Sequence, residues 1–314
     1  METRRLGQSD LEISVMTLGG WMFGVDSWSN VNDDDSIRTI HTVIDAGITM
    51  VDTAMGYGGG YSESIIGKAL QMKPGRLLIS SKCSADPKQI PQQADAALSR
   101  LQVDCIDVYH VHYPSPRIPI AETIGAMSKL VDAGKIRYIG VSNFSVEQIE
   151  EGLKTARIEC CQPPLNLFWR ETEEAILPFC QKHQIGVICY SPLAQGLLTG
   201  KFRRREDIPD DIRSRNKLFK EGTFERCLEV LDFMQTIADK QGKSLTQVAL
   251  NWVVRQPQVT SAIVGAQNPA ELKHDVESFD WKLSPEELKM LGERGLQISR
   301  TMDFDTNMWG YKPS

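Results

Sequence analysis

Two patterns alternate along this chain, and that alternation limits its possible folds more than any other feature. Short runs of apolar, often β-branched residues are separated by longer amphipathic segments. The runs predict strands at Val15–Leu18, Thr49–Asp52, Leu77–Ser81, Ile106–Val111, Tyr138–Val141, Glu159–Gln162, Gly186–Tyr190 and Ser261–Val264. Each is apolar nearly throughout, as expected of parallel strands covered on both faces. Between them, Asp33–Ala46, Pro91–Leu101, Pro119–Ala133, Ser145–Leu153 and Glu171–His183 carry helical spacing, with Ile37, Ile40, Val43 and Ile44 along one face of the first. Gly47 and Gly134 stand where a helix is closed by glycine. Ser145 and Gln148 make a capping box. Strand then helix, repeated about eight times, predicts one domain over residues 1–314: an α/β fold of the closed (β/α)8 TIM barrel type. A doubly wound open sheet is the competitor.

Three segments break the alternation. Thr3–Ile13 alternates polar and apolar residues around Gly7-Gln8 and predicts a short N-terminal β-hairpin plugging the barrel bottom. The long loop after strand 7, residues 199–222, is too polar for core and too long for an ordinary connection, which marks it as functional or mobile. The C-terminal tail from Arg300 to Ser314 carries Phe304, Met308, Trp309 and Tyr311 without helical period. So aromatic a tail is expected to fold over something.

Composition removes several function classes. Lys+Arg minus Asp+Glu is 35 − 41 = −6, which argues against a nucleic-acid footprint. Seven cysteines without CxxC spacing make neither a disulfide framework nor a zinc site. Cys160-Cys161 reads as two small buried side chains on a strand. No signal-peptide core opens the chain and no run approaches the ~18 apolar residues of a membrane span, so a cytoplasmic protein without a membrane partner is expected.

Catalytic groups of such barrels come from the C-terminal ends of the strands. Asp52, Lys82, His112 and Ser142 stand there, each 30 residues after the last (82 − 52, 112 − 82, 142 − 112). Singly, Asp52 reads as a helix N-cap, Lys82 as a rim salt bridge and His112 as a satisfied strand histidine. As a set they are a poor choice for a core, because buried charge is rare unless paired. Tyr57 follows in VDTAMGYGGGYSE. A phenol with pKa ~10 is a weak acid at neutral pH, and a nearby ammonium lowers that value. The expected site is Tyr57 acidified by Lys82, Lys82 kept charged by Asp52, and His112 hydrogen-bonded to a carbonyl oxygen. No side chain donates hydride, so a nicotinamide cofactor would complete the set.

Two other readings explain less. His110-x-His112 puts two imidazoles on one side of a strand. His41, His183 and His274 fall on predicted helices and supply no third ligand, so no metal is expected. Lys82 as a Schiff-base nucleophile leaves Tyr57, Gln162 and Ser142-Asn143 without a role.

Over essentially its whole length the chain resembles the aldo-keto reductases. The motifs are DTAMGY with YSESIIGKAL, SSK, DVYHVHYP, GKIRYIGVSNF, Gln162 ahead of Asn166, YSPLAQGLLTGK and AIVGAQNPAEL, in that order. The resemblance implies a (β/α)8 barrel that reduces aldehydes or ketones with NADPH, or runs the reverse oxidation. It makes Tyr57 the proton donor, with Asp52, Lys82 and His112 as partners. Ser142, Asn143 and Gln162 would bind the nicotinamide carboxamide, and Tyr190 would stack on its ring. Ser191, Pro192, Leu193, Gln195, Gly196 and Leu197 would wrap the pyrophosphate. Gly265 and Gln267, with Glu271 and Asp275 behind them, would hold the adenosine.

The adenosine end departs from the family. Members often carry Arg or Lys where Gln267 stands, and uncharged polar residues near Glu271 and Asp275. A carboxylate suits a free ribose hydroxyl better than a phosphate. Lys201, Arg203, Arg204, Arg205 and Lys273 are the candidates to replace the missing cation. NADPH/NADP+ is the expected cofactor, with NADH as the alternative.

The substrate mouth is expected from Trp21-Met22-Phe23, Trp28, the Tyr57–Tyr61 loop, Tyr113, Phe168-Trp169 and Trp309. Aromatic faces near His110, Asn166 and Arg170 suit a sugar-like carbonyl, whose apolar faces stack while its hydroxyls hydrogen-bond. An aromatic aldehyde or small ketone fits the same residues. The alternative function implied by the resemblance is a cofactor-binding accessory subunit of potassium channels with slow turnover. No oligomeric state follows from the sequence.

Overall fold

The computed structural model describes residues 1–24, 32–73, 75–304 and 307–310. Strands β1 (Thr3–Arg5) and β2 (Glu12–Ser14) form an antiparallel hairpin. Strands β3 (Met16–Gly19), β4 (Met50–Asp52), β5 (Leu78–Cys83), β6 (Ile106–Val111), β7 (Ile136–Ser142), β8 (Cys160–Gln162), β9 (Gly186–Cys189) and β10 (Ser261–Val264) form a closed parallel barrel, β10 pairing back to β3. Every expected strand is present, with no end shifted by more than two residues. Cys160 and Cys161 are buried on β8.

Between β3 and β9 run α1 (Asp33–Asp45), α2 (Tyr61–Met72), α3 (Ile90–Leu101), α4 (Ile120–Asp132), α5 (Val146–Leu153) and α6 (Ile176–Lys182). After β9 come α7 (Thr223–Gln241), α8 (Leu245–Val254), α9 (Pro269–Val276) and α10 (Pro285–Ser299). The helix expected over Glu171–His183 is shorter, with only a 3-10 turn at Glu171–Glu173 ahead of α6. Pro178 is the reason: it has no N–H to bond a carbonyl four residues back, so the helix starts where proline falls in its first turn.

The hairpin plugs the bottom of the barrel as expected. Leu6, Leu11 and Ile13 are buried against Met50, Leu78, Val108, Cys160, Ile188 and Ile263. Each such side chain contributes about 1.5–3 kcal/mol, enough to hold a hairpin that is marginal alone. The long loop is less solvated than its composition suggests, because Phe202, Leu218 and Phe219 pin it to the body. The tail folds back across the barrel mouth. Phe304 packs edge-on against Trp169 at 4.8 Å, Met308 is fully buried, and the Met308 carbonyl accepts from the Lys217 N–H of the long loop at 2.9 Å.

Candidate active site

Residues in register on parallel neighbours face the same side of a sheet, and side chains alternate along each strand. Asp52 is in register with Ser80, Lys82 with His110, and Ser142 with Gln162. Lys82, one pleat beyond Ser80, faces the interior with Asp52, so the two meet inside the barrel. Asp52 and Lys82 are 2% and 1% exposed. Lys82 Nζ donates to Asp52 Oδ2 at 2.5 Å, to the Thr53 carbonyl at 2.8 Å and to the Tyr57 hydroxyl at 3.4 Å, which engages all its protons. Asp52 Oδ1 accepts from Ser80 Oγ at 2.7 Å and Gln162 Nε2 at 2.8 Å. The pair is buried but fully satisfied, the condition under which a buried ion pair is tolerated.

Burial acts against the Lys82 charge, but Asp52 and Tyr57 outweigh it and hold the ammonium above its ordinary value. Tyr57 corrects the sequence reading. Burial of its hydroxyl outweighs the Lys82 ammonium, and with the Asp52 charge it raises the phenol above its ordinary value. Tyr57 carries a protonated phenol, not one already made acidic. His112 lies just past β6, its ring 5.9 Å from that of Tyr57 at 82°. Burial, then the Lys82 charge, pushes it down to about 3, so it is a neutral imidazole with one N–H to give.

The Tyr57 loop is held from several sides. Trp21 stacks near Tyr57 at 6.1 Å. Ser62 Oγ bonds Thr53 Oγ1 at 2.8 Å and donates to the Gly20 carbonyl at 2.7 Å. Gly60 has φ 97°, and a Cβ there would sit 2.7 Å from the Arg100 guanidinium carbon, so only glycine passes.

A cavity of about 630 Å³ runs from Trp21 and Tyr57 to Gln267 and Glu271, a size common for ligand sites. Asn143 joins its parts: Nδ2 donates to the His112 carbonyl at 2.9 Å, and Oδ1 accepts from the Tyr190 hydroxyl at 2.8 Å. Ser142 Oγ donates to the Gln162 carbonyl at 2.8 Å. Gln195 and Gly196 take left-handed backbone angles, and buried Gln195 Nε2 has no partner among the described residues. Most of the cofactor candidates named from sequence line this cavity, with Trp21 and Tyr113 at the substrate end. Lys82, Leu197, Trp169 and Asp275 are buried and do not line it. Trp169 lies beneath the tail instead, and Trp28 is outside the described residues.

The basic cluster expected to replace the missing cation does not line the cavity near Gln267 as a group. Arg203 pairs with Asp232, Arg204 with Asp207 and Arg205 with Glu225, while Lys273 is exposed on α9. Lys201 does line the cavity, joined by Arg213 and Arg215. Sequence reasoning missed those two, because IRSR in a polar loop looks like any solvated basic run. Arg213 pairs with Asp211 and lies over the Phe202 ring, as does Lys201. Burial, then the Arg213 charge, holds the Lys201 ammonium below its ordinary value. Opposite them, the Gln267 N–H donates to Glu271 Oε2 at 2.8 Å. Asp275 is raised, chiefly by burial, and its Oδ2 has no partner among the described residues.

His110 turns inward and packs on Gly140, where a Cβ would overlap its Nδ1. Among the described residues neither ring nitrogen meets a partner in good hydrogen-bond geometry, and burial, then Lys82, pushes the ring down to about 3. Among the described residues, no three His, Cys, Asp or Glu side chains converge as metal ligands.

A closed barrel with a lysine, a carboxylate, a tyrosine and an imidazole at one mouth defines an oxidoreductase type of site, and comparison with known proteins gives the family. The profile of the aldo/keto reductase family matches residues 15–294, and the chain belongs to that family. It is 37% identical to aldo-keto reductase YhdN of Bacillus subtilis (strain 168), over 92% of each chain. It is 30% identical to the NADH-specific methylglyoxal reductase of Escherichia coli (strain K12), over 94% of this chain and 98% of that one. The solved structure of the glycerol dehydrogenase AKR11B4 from Gluconobacter oxydans superposes with a TM-score of 0.89 at 36% identity, covering 98% of both chains.

Proposed function

We propose that this aldo-keto reductase reduces a small oxygenated aldehyde or ketone, sugar-derived carbonyls included, with Tyr57 as the proton donor. The observation that carries the reading is the chain of bonds from Asp52 through Lys82 to the Tyr57 hydroxyl, with neutral His112 beside it. A carbonyl oxygen between Tyr57 and His112 would accept from both. As negative charge develops on that oxygen, the phenol transfers its proton and Lys82 steadies the phenolate left behind. Asp52 keeps Lys82 charged throughout, and the closed barrel excludes water from the pair.

The cavity suits a nicotinamide dinucleotide. Tyr190 offers a flat face near Asn143 and Gln162, and Gln195, whose Nε2 meets no partner among the described residues, lies midway with left-handed Gly196. Such a cofactor supplies the hydride. NADP(H) is the proposed form, supported by Lys201, Arg213 and Arg215 on one wall. Burial and then the Arg213 charge hold the Lys201 ammonium down, and an anion set beside it relieves that repulsion. Gln267 and the Glu271 carboxylate favour the second reading, NADH, as does the name of the methylglyoxal reductase relative. Relatives named for methylglyoxal and glycerol, and the aromatic mouth of Trp21, Tyr113 and Trp309, support a small oxygenated substrate. The relatives are enzymes, which does not favour the channel-subunit alternative.

The test is Tyr57→Phe with paired NADPH and NADH titrations followed by tryptophan fluorescence. Dinucleotide affinity should stay within about twofold while kcat falls by about 10²-fold or more. Retained turnover removes Tyr57 as the donor, and failure to bind either dinucleotide removes the reductase reading. Gln267→Arg should tighten NADPH relative to NADH.

A further inference from the structure

The motif YSESIIG behind Tyr57 holds a carboxylate that the reaction does not use. Glu63, in the first turn of α2, is completely buried. Its Oε1 accepts from Ser81 Oγ at 2.6 Å. Its Oε2 accepts from Arg100 Nε at 2.7 Å, with Nη2 2.6 Å away. Ser81 precedes Lys82 on β5 and faces the helix layer while Lys82 faces the barrel interior. Arg100 comes from α3 and lies against Gly60 at the end of the Tyr57 loop. One carboxylate therefore ties together the helix after the proton donor, the strand of the ammonium and the next helix.

We propose that Glu63, braced by Ser81 and Arg100, is a positioning residue that sets the separation of the Tyr57 hydroxyl and the Lys82 ammonium. This rests on the reading of Tyr57 as proton donor. Between Tyr57 and α2 the chain passes through Gly58, Gly59 and Gly60, with φ of 61°, 61° and 97°. Three glycines have no side chains to hold their own geometry, so the loop takes its position from its ends. At the Tyr57 end its N–H donates to the Ala54 carbonyl at 3.0 Å. At the other end Ser62 holds β4 and the turn before Trp21, and Glu63 carries the tie to β5. The Tyr57–Lys82 bond, at 3.4 Å, is the longest that Lys82 makes and lies near the limit of a hydrogen bond, so a small shift of α2 against β5 breaks it. A buried carboxylate–guanidinium pair resists that shift, because separating the partners strands both charges.

The test compares Ser81→Ala and Arg100→Lys with wild type, reading kcat, KM and the pH profile with glyceraldehyde and saturating NADPH or NADH. Ser81→Ala removes the tie to β5 and leaves no charge unpaired. Arg100→Lys keeps the charge but loses the paired contact. In folded enzyme with dinucleotide Kd within twofold of wild type, kcat should fall about tenfold or more with little change in KM. Among the described residues, the titratable groups facing Tyr57 are Lys82, Asp52, His112 and the Tyr190 phenol, and of these Lys82 is the one that lowers the Tyr57 value. Moving the phenol from Lys82 should therefore shift the alkaline limb of kcat to higher pH. In a Tyr57→Phe background, Ser81→Ala should have no further effect on single-turnover hydride transfer. Unchanged kcat in both folded variants overturns the brace, as does an equal loss in the Tyr57→Phe background. Wild-type turnover by Tyr57→Phe alone would instead overturn the donor assignment beneath it.

Discussion

Asp52→Asn separates the charge of the buried pair from its shape. At 2.5 Å and an effective dielectric of about 20, the Asp52–Lys82 attraction is about 6–7 kcal/mol. Desolvation of the two ions offsets part of this, and removing one partner of a buried pair costs about 3–5 kcal/mol because the other is left uncompensated. The sign with pH distinguishes this from a packing defect. In wild type the Lys82 value is raised above its ordinary 10.5, so its contribution is fully present below 10.5 and is lost as pH rises through the folded value. In Asp52→Asn burial dominates and the ammonium falls below 10.5. The variant is then penalised most at low pH and recovers as pH rises through the lowered value. Urea unfolding from pH 6 to 10 should show a gap of about 3–5 kcal/mol near pH 7 that narrows toward pH 10. At pH 7, kcat should fall about 10²-fold or more, since an ammonium no longer held in place and kept charged by Asp52 steadies a phenolate less. A gap below about 1 kcal/mol, or one independent of pH, would refute the mutual dependence of the pair.

Three further outcomes follow from the geometry. With His112 and His110 both pushed down to about 3, kcat/KM for reduction should show no limb from either between pH 5 and 8, and an acid limb near 6.5 that disappears in His112→Gln would contradict this. Gly140→Ala forces a Cβ into the His110 ring and should cost about 1–3 kcal/mol in urea unfolding, a cost below 0.5 kcal/mol showing that the ring simply moves. Deleting residues 301–314 removes Trp309 and Asn307 from the mouth and should raise substrate KM more than it weakens dinucleotide binding, whereas an unchanged KM would place the tail outside the site.

Several features were legible because their signals are local. Strand and helix periods report which side chains face a core, and they located every barrel strand within two residues. The 30-residue spacing of Asp52, Lys82, His112 and Ser142 reflects the length of one strand–helix unit. Other features were not legible. Arg203, Arg204 and Arg205 look as available for a phosphate as Arg213 and Arg215 until their partners are known. Asp232 and Glu225 stand twenty or more residues from Arg203 and Arg205, in α7. Glu63 has no partner near it along the chain, and only the fold brings Ser81 and Arg100 to it.

The sequence by itself determined the barrel, its plug and the candidate catalytic set, because burial period and unit length are written along the chain. Only the tertiary structure decided the state of those groups. Tyr57 is a protonated phenol and not an acidified one, His112 is neutral, and Lys82 is charged. Each state is a balance between desolvation and charges from other strands at distances of a few ångströms. Those terms exist only once the barrel closes and buries Asp52 and Lys82 beneath its mouth.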